Sequence, residues 1–341
     1  MESPGGERLP ASSEELETDN AEHAESPMDR QLREALAKLD VHQKHIPGRD
    51  DHEHSTGELL YDLAMKTPEF ERFVTWDGKD HCRILRVSGR PGAGKSMLLD
   101  AAVRRLPKVS DEEIGINKDV TYFLCNRTRW RQADALSAVK GLISGVLRCQ
   151  PELRDHLRWA LEEWGGYNSL EGFYALSTVL YRIIQVRRFV STYFVVDGTE
   201  QFVTDGDPSL DHPVRVTDEE GLSQDPLDER GFGKLLHLIS TAVELTDKVK
   251  WVLSVDHGKI SAELTSVTED LQQHLVLDAR IPELHADITQ VVHSYATHLV
   301  GNEMHYHNTK KEALTEKLRG APSNFLWMNV ALTFVREFTP P

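Results

Sequence analysis

Residues 83–99 read RILRVSGRPGAGKSMLL, and this stretch decides the fold. Gly89 is followed by four residues and then by Gly94, Lys95 and Ser96. With ordinary residue usage, a chance match to this pattern in such a chain is on the order of one per cent. The apolar run before the loop predicts a strand over 84–88, and the leucines after it predict a helix that ends near residue 106. A strand, a glycine-rich loop and a helix in this order are typical of a phosphate-binding P-loop, or Walker A motif.

The residue types of this loop suit the binding of a nucleoside triphosphate. The glycines at 89, 92 and 94 are expected to take backbone angles that side chains disfavour, so that successive N–H groups can surround phosphate oxygens at a helix N-terminus. Lys95 is expected to reach the β- and γ-phosphates, and Ser96 to bind Mg²⁺ through its hydroxyl. We therefore predict ATP or ADP as the cofactor, with GTP left open, together with Mg²⁺. The predicted nucleotide-binding residues are Gly89, Arg90, Pro91, Gly92, Ala93, Gly94, Lys95, Ser96 and Met97.

A second motif lies about a hundred residues downstream, where an apolar strand over 192–196 ends in Asp197. In P-loop NTPases an acid at such a strand end meets the Mg²⁺, so Asp197 is predicted as the second metal ligand, on a strand beside the P-loop strand. Glu200 lies three residues later and is the candidate catalytic residue, because a carboxylate there can orient or deprotonate a water. The alternative is that Glu200 is only the first acid of an acidic loop.

Strand and helix patterns alternate from residue 83 onward. Predicted strands cover 84–88, 120–125, 192–196, 249–254 and 274–277, with helices over 95–106, 136–147, 176–186 and 235–245 between them. This alternation predicts a P-loop NTPase fold of the α/β class, a three-layer α/β/α sandwich with a mainly parallel five-stranded sheet. Helical patterns over 288–299, 310–318 and 325–338 predict a helical C-terminal segment.

The predicted organisation has four parts. Residues 1–28 are polar and acidic and are expected to be a disordered tail. Residues 29–54 hold a linker and a short amphipathic helix over 29–41, in which Leu32, Leu36 and Leu39 stand at helical spacing. The helix packs either on the main domain or on a protein partner. Residues 55–282 form the NTPase core, in which 198–230 is expected to be an acidic, mobile insertion, and residues 283–341 form the helical extension.

Composition excludes several classes of protein. The net charge of -16 argues against non-specific nucleic-acid binding, since a phosphate backbone requires a basic surface, so no nucleic-acid partner is expected; a local basic patch stays open. No apolar run is long enough for a membrane span, and the acidic N-terminus does not resemble a signal peptide, so a cytoplasmic location is expected. Cys82, Cys125 and Cys149 are expected to be buried free thiols.

Several segments stand in a recognisable order along the chain: 57–60 with Phe70 and Phe73, 83–99, 122–125, 139–143, 150–153, 195–197, 249–254 and 324–327. In combination, these segments resemble the NACHT class of P-loop NTPases (STAND class), in the form found in fungal NOD-like receptors and nephrocystin-like N-terminal domains. The resemblance covers about 55–338. It implies a signalling switch that holds ADP at rest, exchanges it for ATP and self-associates through the NACHT module, with Lys95, Ser96 and Asp197 as ligands of phosphate and Mg²⁺.

Two departures from the family pattern bear on activity. Glu200 and Gln201 stand where the family has Asp-Glu, and Ser254, Val255 and Asp256 stand where it has Ser-Ser-Arg, whose arginine senses the γ-phosphate. The interpretation is a nucleotide-binding switch with weak or absent hydrolysis. Two alternatives stay open: a working Mg²⁺-dependent ATPase or GTPase that takes an arginine from 127–131 or a neighbouring subunit, and a non-catalytic scaffold that uses nucleotide as structural support.

Overall fold

A computed structural model describes residues 27–39, 51–76, 82–108, 118–125, 134–164, 172–202, 231–256, 272–276, 282–302 and 308–319. Several predictions lie outside these ranges: the acidic tail up to residue 26, the insertion from 203 to 230, the arginines of 127–131 and the helix over 325–338.

The centre of the fold is a parallel sheet whose strands lie where the sequence predicts them. The strands are β1 (Ile84–Gly89), β2 (Asp119–Leu124), β3 (Thr192–Asp197) and β4 (Val249–Asp256), in the order β2-β3-β4-β1. A further strand, β5 (Gln272–Val276), overlaps the predicted 274–277 segment and pairs in parallel with the outer side of β1. Because all these pairs are parallel, the carboxyl ends of β1, β3 and β4 lie at one edge of the sheet.

The order of the strands corrects one expectation. β3 was predicted to lie beside β1, but β4 pairs with both and separates them. β4 is buried from Val249 to Val255, but β1 and β3 are buried along their whole lengths as well, so apolar character alone does not show which strand lies between the other two. Because β4 lies between them, the axes of β1 and β3 are about 10 Å apart, two strand spacings, rather than one.

Helices cover both faces of the sheet. They are α1 (Pro27–Leu39), α2 (Asp51–Ala64), α3 (Pro68–Val74), α4 (Lys95–Arg105), α5 (Ala135–Cys149), α6 (Arg154–Glu163), α7 (Phe173–Ile184), α8 (Phe232–Leu245), α9 (Pro282–Asn302) and α10 (Asn308–Arg319). The helix α6 was not predicted, although its Leu157, Ala160 and Leu161 are buried at helical spacing. The predicted linker is helical from Asp51 onward, because α2 begins there.

Two apolar clusters fill the two interfaces between the sheet and the helices that cover it. On one face, Phe194 and Leu253 of the sheet pack with the buried residues of α5, α7 and α8. On the other face, Leu85 and Val195 pack with those of α2, α4 and α9. This alternation along each strand produces a three-layer α/β/α arrangement, with helices α9 and α10 following the sheet.

The first helix, α1, packs on its own chain. Ala35 and Leu39 are buried among residues of the α5–α8 cluster, and Asp29 forms an ion pair with Arg158 of α6. Of the two alternatives for this amphipathic helix, the structure therefore shows packing on the main domain. The cysteine prediction is confirmed for Cys82 and Cys125, which are free and buried, and the burial part is wrong for Cys149, which is free but exposed at the end of α5.

The helix that begins at the P-loop, α4, is held closely by α2. A Cβ atom added to Gly57 of α2 would lie 2.7 Å from the backbone oxygen of Met97. Real Cβ atoms do not approach a backbone atom that closely, so only glycine allows the two helices this contact. Met97 lies in the first turn of α4, and α2 therefore fixes the position of the helix end next to the P-loop.

Charged pairs extend the contact between α2 and α4 along one side. Glu58 lies 3.3 Å from both Arg104 and Arg105, and Asp62 lies 2.5 Å from Arg105. The guanidinium of Arg105 also stands 4.5 Å above the ring of Tyr61. Burial raises the pKa of Tyr61 to about 12, against the opposing effect of Arg105, so its hydroxyl stays protonated at neutral pH.

Replacing Gly57 by alanine is expected to lower the free energy of unfolding by about 1–3 kcal/mol, because the added methyl group would overpack a backbone oxygen. Urea unfolding followed by circular dichroism measures the change. The matched control is Gly233→Ala in α8, where an added Cβ meets nothing within 4 Å. The control should be neutral or stabilising by up to about 1 kcal/mol, since alanine favours helix. Equal losses in the two variants would contradict the close contact.

The Val249-Lys250-Trp251 segment, part of the family resemblance, has a structural role. The Nζ of Lys250 is buried and donates to the backbone oxygens of Phe73, at 2.5 Å, and of Thr75, at the C-terminal end of α3. Its ammonium also lies 4.9 Å from the ring centre of Trp76. A cation at a helix C-terminus satisfies carbonyls that have no intrahelical donor, so Lys250 attaches α3 to the sheet.

Candidate functional site

The loop between β1 and α4 adopts the backbone that the glycine pattern predicts at two of its three positions. Gly92 has φ of 78° and Gly94 has φ of 92°, both in the left-handed region that disfavours residues with a Cβ. The expectation is wrong for Gly89, which is the last residue of β1 and is not among the positive-φ glycines of the described chain. Gly94 is the N-cap of α4, and its oxygen accepts from Leu98.

Lys95 lies where its ammonium can serve the loop. The side chain is 8% exposed, and its Nζ donates to the oxygens of Gly89, at 2.8 Å, and Arg90, at 3.3 Å. The amine is thus held over the loop at the N-terminal end of α4, where the helix dipole also favours an anion. Ser96, next in the chain, is partly buried in the first turn of the helix.

Asp197 ends β3 at the same edge of the sheet and is 1% exposed. Its Oδ1 accepts from the hydroxyl of Ser254 at 2.6 Å, and its Oδ2 lies 3.5 Å from the hydroxyl of Tyr122, at the outer limit of a hydrogen bond. Both of these contacts are with neutral hydroxyls. A buried carboxylate is stable when it is paired with a cation or coordinates a metal, so the position suits a cation.

The turn after Asp197 is fastened to β4 and β2. The N–H of Gly198 donates to Ser254 Oγ at 2.6 Å, and the hydroxyl of Thr199 donates to the oxygen of Ser254 at 2.5 Å. Gly198 has φ of 76°, and an added Cβ would lie 3.0 Å from the oxygen of Cys125. The direction of the chain after Asp197 is thus set by glycine and by one serine of the central strand.

The donor set at this edge fits Mg²⁺ better than a metal with an all-protein shell. The described residues contain no group of three or more His, Cys, Asp or Glu side chains that could hold a metal ion. Magnesium is usually held by one or two protein oxygens together with phosphate oxygens and waters. Asp197 and the hydroxyl of Ser96 are oxygen donors of that kind, on strand β3 and helix α4.

The residues expected to act on the γ-phosphate lie at the same edge in the backbone. Glu200 and Gln201 belong to a short 3-10 turn, Thr199–Gln201, directly after β3. Asp256 is the last residue of β4 and pairs in register with Gly89, the first residue of the P-loop. The side chains of Glu200 and Asp256 lie outside the described residues. The fold thus brings the backbone of all the sequence-predicted positions to one edge.

Two contributors were not predicted as site residues from the sequence. Both lie in predicted strands and in segments that carry the family resemblance, and Ser254 also begins the Ser-Val-Asp segment, but neither was assigned a role at the site. Each reaches Asp197 from a neighbouring strand, β4 for Ser254 and β2 for Tyr122. The sequence held one signal for Ser254: it lies three residues after Trp251, where a small hydroxyl residue interrupts a run of large apolar residues on a predicted strand.

The sequence of the chain is similar to a described protein family and to a fungal protein. Residues 62–212 match the protein family described as Nephrocystin 3, N-terminal. The chain is also 25% identical over 231 residues to the vegetative incompatibility protein HET-E-1 of Podospora anserina, a match that covers 67% of this chain and 15% of that protein. The chain thus corresponds to a small part of the length of this relative. These matches confirm the resemblance to NACHT-class, nephrocystin-like proteins.

Among solved structures, the chain is distantly similar to Drosophila ORC bound to DNA, with 16% identity and a TM-score of 0.41 over 98% of this chain and 64% of that one. It is also distantly similar to C. elegans PCH-2, with 12% identity and a TM-score of 0.38 over 89% of this chain and 67% of that one. The P-loop backbone and the match to HET-E-1, rather than these distant structural likenesses, support a nucleotide-binding, NTPase-like module. In the parts of the chain that the structure describes, no helix could cross a bilayer.

Proposed function

We propose that this chain is a signalling switch module that binds ATP or ADP with Mg²⁺ and hydrolyses the triphosphate slowly or not at all. The observation that carries the proposal is the contrast at one edge of the sheet. The P-loop holds Lys95 over a backbone with two left-handed glycines, while an acid, Asp256, ends the strand that pairs with Gly89.

Nucleotide binding is supported by the P-loop side of this edge. Residues 89–97, apart from Pro91, supply backbone N–H groups and form the N-terminal end of α4, which together favour phosphate oxygens. The phosphates would draw the ammonium of Lys95 from the carbonyls of Gly89 and Arg90, since a charge-assisted bond to phosphate is stronger than one to a neutral carbonyl. Ser96 and Asp197 would hold the Mg²⁺ that neutralises the phosphates.

Slow hydrolysis is supported by the other side. An enzyme accelerates phosphoryl transfer by placing cations where charge develops on the γ-phosphate. The position in register with Gly89 carries an acid, and like charges repel. Glu200 remains the candidate for orienting an attacking water, but the acid next to it in the family pattern is replaced by Gln201. Binding without efficient turnover is what a switch requires, with exchange of ADP for ATP and self-association as the proposed output.

The test is the binding and turnover of ATP and GTP by the purified chain, with fluorescent nucleotide analogues and a phosphate-release assay. Binding at micromolar concentration or tighter and turnover below about 0.01 s⁻¹ are expected, far under the ~1–1000 s⁻¹ of typical enzymes. Turnover in that enzymatic range would instead establish a working NTPase. If the chain bound neither ATP nor GTP, the proposal would be overturned, and so would the alternative of a scaffold supported by bound nucleotide.

Replacing Asp256 by arginine is expected to raise ATP turnover by at least about tenfold, because it exchanges a repelling charge for one that stabilises the γ-phosphate in the transition state. Phosphate release under saturating ATP measures it. The control is Asp247→Arg, the same charge change at an exposed position before the opposite end of β4. The same increase in both variants, or none in Asp256→Arg, would contradict the role assigned to Asp256.

A further inference from the structure

We infer that Ser254 is the positioning residue for the metal ligand Asp197, an inference that rests on the proposed function and extends it to β4. The hydroxyl of Ser254 lies 2.6 Å from Asp197 Oδ1 and 2.6 Å from the backbone nitrogen of Gly198, and Ser254 is fully buried. One small side chain of the central strand therefore contacts both the carboxylate and the turn that begins after it.

The direction of these hydrogen bonds is fixed by chemistry. A backbone N–H can only donate, so Gly198 donates to Ser254 Oγ. The carboxylate can only accept, so the single proton of the hydroxyl goes to Asp197 Oδ1. The carboxylate is thus held with Oδ1 toward β4. The other oxygen, Oδ2, has a long contact of 3.5 Å with Tyr122 and is the one that can turn to a cation.

Ser254 also controls the chain beyond the carboxylate. Its backbone oxygen accepts from Thr199 Oγ1 at 2.5 Å, so one residue of β4 binds three consecutive residues at the end of β3. Glu200 is the next residue along the chain. The orientation of the metal ligand and the path of the chain toward the candidate catalytic acid therefore depend on the same serine.

This arrangement predicts a specific functional signature. Lys95 and the loop backbone would bind phosphate from β1 and α4, and the hydrogen bonds of the Lys95 ammonium go to Gly89 and Arg90 rather than to Ser254. Loss of the serine hydroxyl should therefore spare the metal-free affinity for nucleotide and weaken the dependence on Mg²⁺. A general loss of folding would instead reduce both affinities together.

The experiment uses fluorescent ADP as the probe, titrated in EDTA and at increasing Mg²⁺ concentration. Ser254→Ala is expected to raise the Mg²⁺ concentration for half-maximal effect by about tenfold or more, with the affinity in EDTA changed less than twofold. Ser254→Thr and Ser254→Val have nearly the same shape and differ in the hydroxyl. The threonine variant should recover most of the Mg²⁺ response, and the valine variant should not. This pair keeps the comparison decisive if alanine disturbs folding.

The control is Ser177→Ala, which removes another buried serine hydroxyl, one that donates to Phe173 within α7. It should leave the Mg²⁺ response unchanged. An unchanged response in Ser254→Ala and Ser254→Val would overturn the positioning role, and so would equal losses in the threonine and valine variants. Failure of the unmodified chain to bind the probe in either buffer would refute the proposed function itself, which is a different result.

Discussion

Lys95→Ala is expected to weaken the binding of ATP and ADP by at least about 100-fold, or about 2.7 kcal/mol. The structure places this ammonium over the loop, held by the oxygens of Gly89 and Arg90, on a side chain that is 8% exposed. A charged donor directed at phosphate in so sheltered a place contributes more than a surface lysine, because water screens it less. Titration with fluorescent ADP in the presence of Mg²⁺ measures the loss.

The same substitution should also remove the stabilisation that nucleotide gives to the fold. A ligand at 100 times its dissociation constant stabilises the native state by about 2.7 kcal/mol, and this gain disappears when binding does. Lys95→Met keeps an apolar stem and removes the charge, so it separates the packing of the stem from the charge of the ammonium. Because the charge is what binds phosphate, Lys95→Met should lose as much affinity as Lys95→Ala. Lys66→Ala, at an exposed lysine after α2, is the control and should bind as the unmodified chain does. Tight binding by Lys95→Ala would refute the P-loop assignment.

The parts of the site that the sequence predicted are those encoded locally. The spacing of Gly92, Gly94 and Lys95 determines a loop geometry within a few residues, and the structure has left-handed backbone at both glycines. Asp197 was predicted in the same way, from an apolar strand that ends in an acid. A local pattern suffices in both cases because the chemistry and the backbone conformation belong to the same short segment.

The parts that were missed depend on which strands become neighbours. Ser254 reaches Asp197 only because β4 lies between β1 and β3, an order that the sequence does not display. The same cause explains the wrong placement of β3 beside β1. The docking of α1 was left open for a related reason, since the pattern of Leu32 and Leu36 shows that one face is apolar and does not show what covers it.

Lys250 differs from these residues because it belongs to the family resemblance but does not lie at the nucleotide site. It lies at the start of β4, at the sheet edge opposite Gly89 and Asp256. Its 2% exposed side chain donates to two backbone oxygens at the end of α3, and its ammonium lies 5.5 Å from the ring centre of Phe73 and 4.9 Å from that of Trp76. These contacts serve the attachment of α3 and lie away from the P-loop.

Lys250→Met is therefore expected to lower the free energy of unfolding by about 3 kcal/mol, because it leaves two carbonyls without their charged donor in a buried place. Lys248→Met is the matched control: its Nζ also donates to two backbone oxygens, of Arg187 at 2.7 Å and Phe189 at 2.9 Å, but the residue is only half-buried. The control should lose about 1 kcal/mol or less. Urea unfolding measures both losses, and equal values would contradict the importance of burial.

The substitutions at Lys95 and Lys250 should affect different properties, nucleotide affinity at Lys95 and the free energy of unfolding at Lys250. Measuring both properties in both variants separates binding from folding. Lys95→Ala should weaken nucleotide binding by at least about 100-fold while leaving the nucleotide-free chain folded, since the hydrogen bonds of its ammonium go to Gly89 and Arg90 at the start of the loop. Lys250→Met should destabilise the nucleotide-free chain while the remaining folded fraction binds Mg²⁺ and ADP with nearly the original affinity. If Lys250→Met lost binding as completely as Lys95→Ala, the edge of the sheet at α3 would belong to the nucleotide site. The division of β4 into an anchoring end at Lys250 and a site end at Ser254 would then be wrong.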